Sequence, residues 1–229
     1  MLGLAITGGE GPGPDFCRFL AKNANFVIAA DSGLLAAEKA GIKPDWIIGD
    51  MDSLNDSGDG IKRLEKYPAE SVIRFPVDKD FTDTELALDF LWKKGALEIW
   101  IAGGGGGRLD HLLAMRSLFE RDRFPSRWVT AFEDVRCLDA GYSLGDTNAG
   151  EKNSTPVTAN ELVFECPVDT LISVFPLGDK KARAISTGLK WPLNDLNWDR
   201  GSFGISNRTT EETFTVRVTD GRFLIIVPL

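Results

Sequence analysis

The residues best suited to chemistry in this chain are carboxylates and glycines gathered just after short apolar runs. The first group is Gly49-Asp50-Met51-Asp52-Ser53, directly after Trp46–Ile48. If that run is a strand that continues to Asp52, the carboxylates of Asp50 and Asp52 point to one side about 6.6 Å apart, because side chains alternate along an extended chain. Two anions so placed repel, and a divalent cation removes the conflict; hard oxygen ligands suit Mg²⁺, which keeps some of its waters and bridges to phosphates. A solvated turn in which Asp52 caps the next helix accounts for the same residues without a metal. The second group is Asp78-Lys79-Asp80-Phe81-Thr82-Asp83-Thr84-Glu85. Thr82 and Glu85 form a capping box, which puts Asp83 at the first helical position, where the helix dipole favours an anion. Capping does not account for Asp78 and Asp80 beside Lys79, so metal and phosphate binding stands level with a plain surface loop.

The third group, Gly103–Gly107 followed by Arg108-Leu109-Asp110-His111, lies between the apolar run Ile99–Ala102 and a helix carrying Leu112, Leu113 and Phe119. Glycines let a ligand approach the backbone, and their N–H groups at a helix start favour phosphate. No Gly-Lys-Ser/Thr follows, so this is not a P-loop. Arg108 can clamp an oxyanion, and Asp110 is either a further carboxylate or a helix cap. His111 is the only histidine, which removes Ser/His/Asp and Cys/His nucleophile chemistry. Further along, Trp191 offers a flat face to an aromatic or cationic ligand, and Ser206 and Asn207 offer polar contacts. On residue type alone, core or rim packing for Trp191 and a turn at Ser206-Asn207 are the favoured readings, and neither needs a ligand.

These residues need elements to hold them. Up to about Arg127, the apolar runs Leu2–Thr7, Phe26–Ala30, Trp46–Ile48, Val72–Phe75 and Ile99–Ala102 alternate with helix-like stretches, one of them opened by Ser32 and closed near Gly41. That rhythm predicts βαβ units, and so a Rossmann-like parallel sheet with flanking helices, whose strand carboxyl ends carry all three groups. After about Trp128 helical periodicity stops. Short strands follow, with Asp220-Gly221 as a hairpin signal between the last two. We therefore expect an α/β domain over residues 1–127 and an all-β sandwich over 128–229, with Gly141–Pro156 as a loop of the second.

Composition narrows the partners. Of 229 residues, 26 are Lys or Arg and 34 are Asp or Glu, for a net charge of −8. That balance argues against a duplex nucleic-acid binder, which draws affinity from cations on phosphate. No apolar run approaches the roughly 20 residues that span a bilayer, and the first ten residues lack a basic signal region. The expectation is a cytoplasmic protein with no membrane partner. Cys17, Cys137 and Cys166, odd in number and far apart, suggest buried thiols rather than a disulfide framework.

Six motifs in this order resemble the thiamine pyrophosphokinase family. They are Ala30-Asp31-Ser32-Gly33, Gly41–Asp45 with Gly49–Ser53, Lys79–Leu88, Gly106–His111, Gly188–Leu193 and Gly204-Ile205-Ser206-Asn207. The resemblance implies an α/β domain, a β-sandwich, and a homodimer with active sites between subunits. It implies Mg²⁺-dependent transfer of the pyrophosphoryl group of ATP to the thiamine hydroxyl, giving thiamine diphosphate and AMP. Position by position, it implies Asp50, Asp52 and Asp80 on the metal, and Asp83, Asp80 and Arg108 in catalysis. It places Asp31, Ser32, Gly33, Gly106, Gly107, Arg108, Asp110 and His111 near ATP, and Trp191, Ser206 and Asn207 near thiamine. Two other classes use the same residues: a metal-dependent phosphohydrolase acting on a small nucleotide, and a non-catalytic nucleotide or thiamine binder.

Overall fold

The computed structural model describes residues 1–55, 60–141, 160–179 and 181–229. They form two compact units, one of Met1–Leu118 with Trp128–Phe132 and one of Phe119–Arg127 with Glu133–Leu229. Of the expected loop Gly141–Pro156, everything beyond Gly141 lies outside the described residues.

The first unit runs β1 (Leu2–Ile6), α1 (Pro14–Asn23), β2 (Phe26–Ala30), α2 (Gly33–Lys39), β3 (Trp46–Gly49), α3 (Asp52–Asn55), α4 (Gly60–Leu64), β4 (Val72–Arg74), α5 (Asp83–Lys93), β5 (Glu98–Ala102), α6 (Leu109–Ser117) and β6 (Arg127–Val129). Strands β5-β1-β2-β3-β4 pair in parallel in that spatial order. β1, β2 and β5 are almost continuously apolar because both faces are covered. Leu4, Ile6, Leu20, Val27 and Ala37 fill one side of the sheet. Ala29, Leu34, Ile47, Met51 and Leu54 make a second cluster. The chain lays down β2, β3 and β4 outward from β1, then returns to place β5 on the other side of β1. The winding thus reverses between β1 and β5, and in open α/β sheets the crevice beyond the strand carboxyl ends at such a point receives ligands.

The second unit holds β7 (Glu133–Asp139), β8 (Glu161–Glu165), β9 (Leu171–Leu177), β10 (Arg183–Thr187), β11 (Gly204–Arg208), β12 (Thr213–Asp220) and β13 (Arg222–Pro228). Strands β11-β9-β13-β7 form one antiparallel sheet and β10-β12-β8 a second. Phe214, Val216 and Val218 of β12 share a core with Phe223, Ile225 and Val227 of β13, so this is a sandwich.

Two sequence expectations change here. Asp220-Gly221 does not close a hairpin, since β12 pairs with β10 and β8 while β13 pairs with β7 and β9. Both strands alternate apolar residues inward, and these bury better face to face than edge to edge, so Gly221 (φ 71°) passes the chain between sheets. Gly204–Arg208 is an edge strand rather than a turn, paired to β9 with a register shift between Gly204 and Asn207.

Candidate functional site

Three carboxylates converge in the first unit at the carboxyl ends of neighbouring elements. Asp31 follows β2, Asp50 follows β3 and Asp83 opens α5. Each offers an oxygen within 4.8 Å of the others, and among the described residues this is the group able to hold a metal ion. Local backbone explains the convergence. The Asp31 N–H donates to Ile48 O at 2.8 Å, with Asp31 in a left-handed conformation (φ 47°) that aspartate tolerates better than most residues. Gly49 sits between the carboxylates. A Cβ there would lie 3.1 Å from Asp83 Oδ1 and 3.3 Å from Asp31 Cβ, at a φ of 145° that side chains rarely adopt, so glycine is what lets the acids close up. The Thr82 hydroxyl accepts from Glu85 N–H while the Thr82 N–H donates to the Glu85 carboxylate at 2.7 Å, completing the capping box that aims Asp83. Thr84 reaches the end of β1 through a 2.8 Å hydroxyl contact with Thr7.

The strand does not persist through Asp52. β3 stops at Gly49, Met51 turns at φ 67°, and Asp52 begins α3. Asp52 is exposed, and its N–H donates to Asp50 Oδ1 at 3.1 Å. Asp80 and Asp78 are exposed in the loop before α5, outside the three-carboxylate group. The cation among these acids is Lys79. Its Nζ donates to Asp50 Oδ2 at 2.8 Å and lies 3.2 Å from Asp83 Oδ1, an ion-pair contact without hydrogen-bond geometry.

These neighbours set opposite proton affinities. The hydrogen bond from Lys79 holds the Asp50 carboxyl below the usual aspartate range, burial opposing and the Asp52 N–H assisting. Burial pushes Asp83 up; Asp50 and Asp31 add to this and Lys79 opposes it. Burial pulls the Lys79 ammonium down, but Asp50 and Asp83 outweigh it and leave it raised. Asp31 Oδ1 and Asp83 Oδ1 are buried without a hydrogen-bond partner. Buried polar oxygens of that kind call for an explanation. Three hard oxygen donors around one point, two of them buried without a hydrogen bond and one of those held only by the Lys79 ion pair, fit a divalent cation such as Mg²⁺.

Beside this cluster the glycine run turns back on the loop after β1. Glu10 and Gly105 exchange backbone hydrogen bonds of 2.8 and 2.9 Å, and Gly104 N–H donates to Gly8 O at 2.7 Å. Gly106 (φ 66°) carries the Glu10 side chain against it; a Cβ there would fall 2.3 Å from Glu10 Cδ. Sequence reasoning missed this partner loop, Gly8-Gly9-Glu10-Gly11-Pro12-Gly13. Its signal was plain, a glycine-rich link between a buried strand and a helix with Pro14 in its first turn. Ser32 and Gly33 open α2, Gly33 being buried. Gly107, Arg108, Asp110 and His111 are exposed. Arg108 binds Asp110 bidentately, which lowers the Asp110 carboxyl, and Asp110 also accepts from His111 N–H at 3.0 Å. The N-cap of α6 is Arg108, so Asp110 serves the first turn without being its cap.

In the second unit the segment around Trp191 is pinned by buried polar groups. Asn207, 7% exposed, donates from Nδ2 to Trp191 O at 2.7 Å, and its Oδ1 accepts from Trp191 N–H at 3.2 Å and Arg208 N–H at 2.8 Å. Ser186 Oγ accepts from Leu193 N–H at 3.0 Å, and Asn194 Oδ1 accepts from Ser186 N–H at 2.8 Å. Asn207 is thus committed to fixing the Trp191 backbone. Trp191 itself is 53% exposed, and Ser206 is exposed at φ 62° within the register shift.

Comparison with known proteins bears on both units. Residues 17–126 match a family model described as thiamin pyrophosphokinase, catalytic domain, and residues 160–223 one described as thiamin pyrophosphokinase, vitamin B1 binding domain. The chain is 28% identical over 200 residues to a thiamine pyrophosphokinase of Bacillus subtilis, spanning 87% of this chain and 85% of that one. It is 28% identical over 233 residues to thiamine pyrophosphokinase 1 of Oryza sativa, spanning 93% and 81%. The crystal structure of the Bacillus subtilis thiamine pyrophosphokinase superposes with a TM-score of 0.75 at 24% identity, covering 100% of this chain and 99% of that one. Thiamin pyrophosphokinase from Candida albicans superposes at 0.70 and 16% identity, covering 100% and 88%. At these identities the superpositions carry the fold.

Proposed function

Because the chain belongs to the thiamin pyrophosphokinase family, we propose that it moves the pyrophosphoryl group of ATP to the hydroxyl of thiamine, giving thiamine diphosphate and AMP. The observation that carries this reading is the group Asp31, Asp50 and Asp83 at the strand ends, with two buried oxygens that accept no hydrogen bond, Asp31 Oδ1 and Asp83 Oδ1. Mg²⁺ held by these residues would supply charge neutralisation for the triphosphate tail. Asp52 and Asp80, which the resemblance puts on the metal, are exposed and would reach the cation through its water ligands.

In this reaction the thiamine hydroxyl oxygen forms a bond to the β-phosphorus. The bond from that phosphorus to the α–β bridging oxygen breaks, and AMP departs with the electron pair. Asp83, aimed from the start of α5 by the capping box, orients the hydroxyl and accepts its proton. Lys79 fixes Asp50 and Asp83 relative to each other before any ligand arrives. Backbone N–H groups of the glycine loops around Gly106 and Gly107 receive phosphate oxygens, and Arg108 balances oxyanion charge. Asp31, Ser32 and Gly33 bring the start of α2 to the nucleotide, with Asp110 and His111 at the α6 side. Trp191 takes the thiazolium cation on its ring, with Ser206 beside it and Asn207 holding the segment in place.

The same reading carries a cytoplasmic homodimer with active sites between subunits. Among the described residues no helix is long and apolar enough to cross a membrane, and light scattering on the purified protein measures the oligomeric state. The reaction is tested by incubating the protein with ATP, Mg²⁺ and thiamine and separating products by chromatography. AMP and thiamine diphosphate in equal amounts support the proposal. Inorganic phosphate released without thiamine would replace it with a phosphohydrolase, and binding of both ligands with no product would replace it with a sensor.

A further inference from the structure

Lys190 lays its ammonium over the Trp191 ring, 4.7 Å from the centroid, and so covers one face of an exposed indole. The arrangement is built in at the backbone. Lys190 N–H donates to Arg208 O at 2.8 Å, and both the N–H and the carbonyl of Trp191 are held by the buried Asn207. The pinned backbone therefore makes the two side chains fixed neighbours at their roots, and the ring attraction brings the ammonium onto the indole. Among the described residues no carboxylate pairs with Lys190, which leaves the indole face as its partner. An ammonium within about 6 Å of a tryptophan face is attracted to the negative ring quadrupole, the same force that draws a thiazolium. A thiazolium that stacks on the face the ammonium covers must displace it.

We infer that Lys190 is an internal competitor for the substrate cation. Resting on the reading of Trp191 as the thiamine surface, this makes Lys190 a residue that sets affinity: incoming thiamine displaces the ammonium, and the ammonium returns as the thiazolium of the product leaves. Binding is weaker than an open tryptophan face would give, and departure is faster by the same exchange. The side chain is exposed, so its replacement leaves the fold of the loop intact.

The test compares wild type, Lys190→Met, Lys190→Arg and Trp191→Leu by isothermal titration with thiamine, without ATP, and by steady-state kinetics. Loss of one exposed cation–π competitor predicts that Lys190→Met binds thiamine about two- to five-fold more tightly. Its KM for thiamine falls, and kcat falls with it where product release limits turnover. Lys190→Arg, which keeps a cation on the ring, matches wild type, and Trp191→Leu binds more weakly. Unchanged thiamine affinity in Trp191→Leu would overturn the reading of Trp191 itself. Weaker binding in Trp191→Leu together with unchanged or weaker binding in Lys190→Met would overturn the competitor role alone.

Discussion

Replacing Lys79 with methionine removes the one cation lodged among the acids while keeping a stem of similar length. The three carboxylates offer oxygens within 4.8 Å of one another, so each pair repels by at least about 3.5 kcal/mol at an effective dielectric of ~20, about 10 kcal/mol in all. Lys79 contributes about 6 kcal/mol at 2.8 Å from Asp50 and about 5 kcal/mol at 3.2 Å from Asp83 on the same scale. Repulsion and attraction thus nearly cancel in the metal-free protein. These side chains are 12–20% exposed, and water screening reduces the expected loss in Lys79→Met to about 3 kcal/mol. For a chain of this size that lowers the melting temperature of the first unit by about 6–12 °C. Mg²⁺ supplies the missing positive charge, so calorimetric melts in EDTA and in millimolar Mg²⁺ should show the ion raising the variant's melting temperature by several degrees more than the wild type's. A variant that melts within about 2 °C of wild type in EDTA, or that gains no more from Mg²⁺ than wild type does, would refute a Lys79-balanced carboxylate site.

Other consequences are measurable. Asn207→Ala removes two part-buried hydrogen bonds to the Trp191 backbone, which costs about 1–3 kcal/mol in all; kinetics should show a raised KM for thiamine with the KM for ATP unchanged. Gly106→Ala forces a Cβ onto Glu10 Cδ at a positive φ and should destabilise the first unit by about 1–2 kcal/mol, measured by urea unfolding. Adding Glu10→Ala should recover the steric share and leave the conformational share. The raised Asp83 carboxyl gives a signed pH dependence in EDTA. The folded protein holds that proton more tightly than the unfolded chain, so stability relative to Asp83→Asn is greatest at low pH and falls as pH rises from about 4 through the raised folded value. Asp50 has the opposite sign: its lowered carboxyl stabilises above the unfolded value and that contribution is lost as pH falls below about 4. Urea unfolding across pH 4 to 7 checks the first slope.

The alternation of apolar runs and capped helices made the α/β unit legible, and period-2 patterns made most of the second unit's strands legible, because both signals are local. The pairing of β12 and β13 was not legible. Asp220-Gly221 has hairpin chemistry, yet the choice between pairing and facing depends on the distant strands β7, β8, β9 and β10. In the site, Asp83 was placed correctly at the helix start by a four-residue box. The company Asp31 keeps with Asp50 and Asp83 could not be read from spacing, since β2, β3 and α5 are brought side by side by sheet order. Gly49, read only as part of a motif, is what permits that approach. The three backbone hydrogen bonds of Asn207 could not be read from its residue type, because they depend on β11 lying beside the Trp191 segment.

The central claim is that Asp31, Asp50 and Asp83 hold one divalent cation on the triphosphate tail. Crystals grown with Mn²⁺ and a non-hydrolysable ATP analogue test it most directly through the anomalous signal of the metal. The account predicts a peak within coordination distance of oxygens from all three residues and of the analogue's phosphates. A peak bound by Asp52 and Asp80 without Asp31, or a well-ordered triphosphate tail with no metal at the three carboxylates, would contradict it.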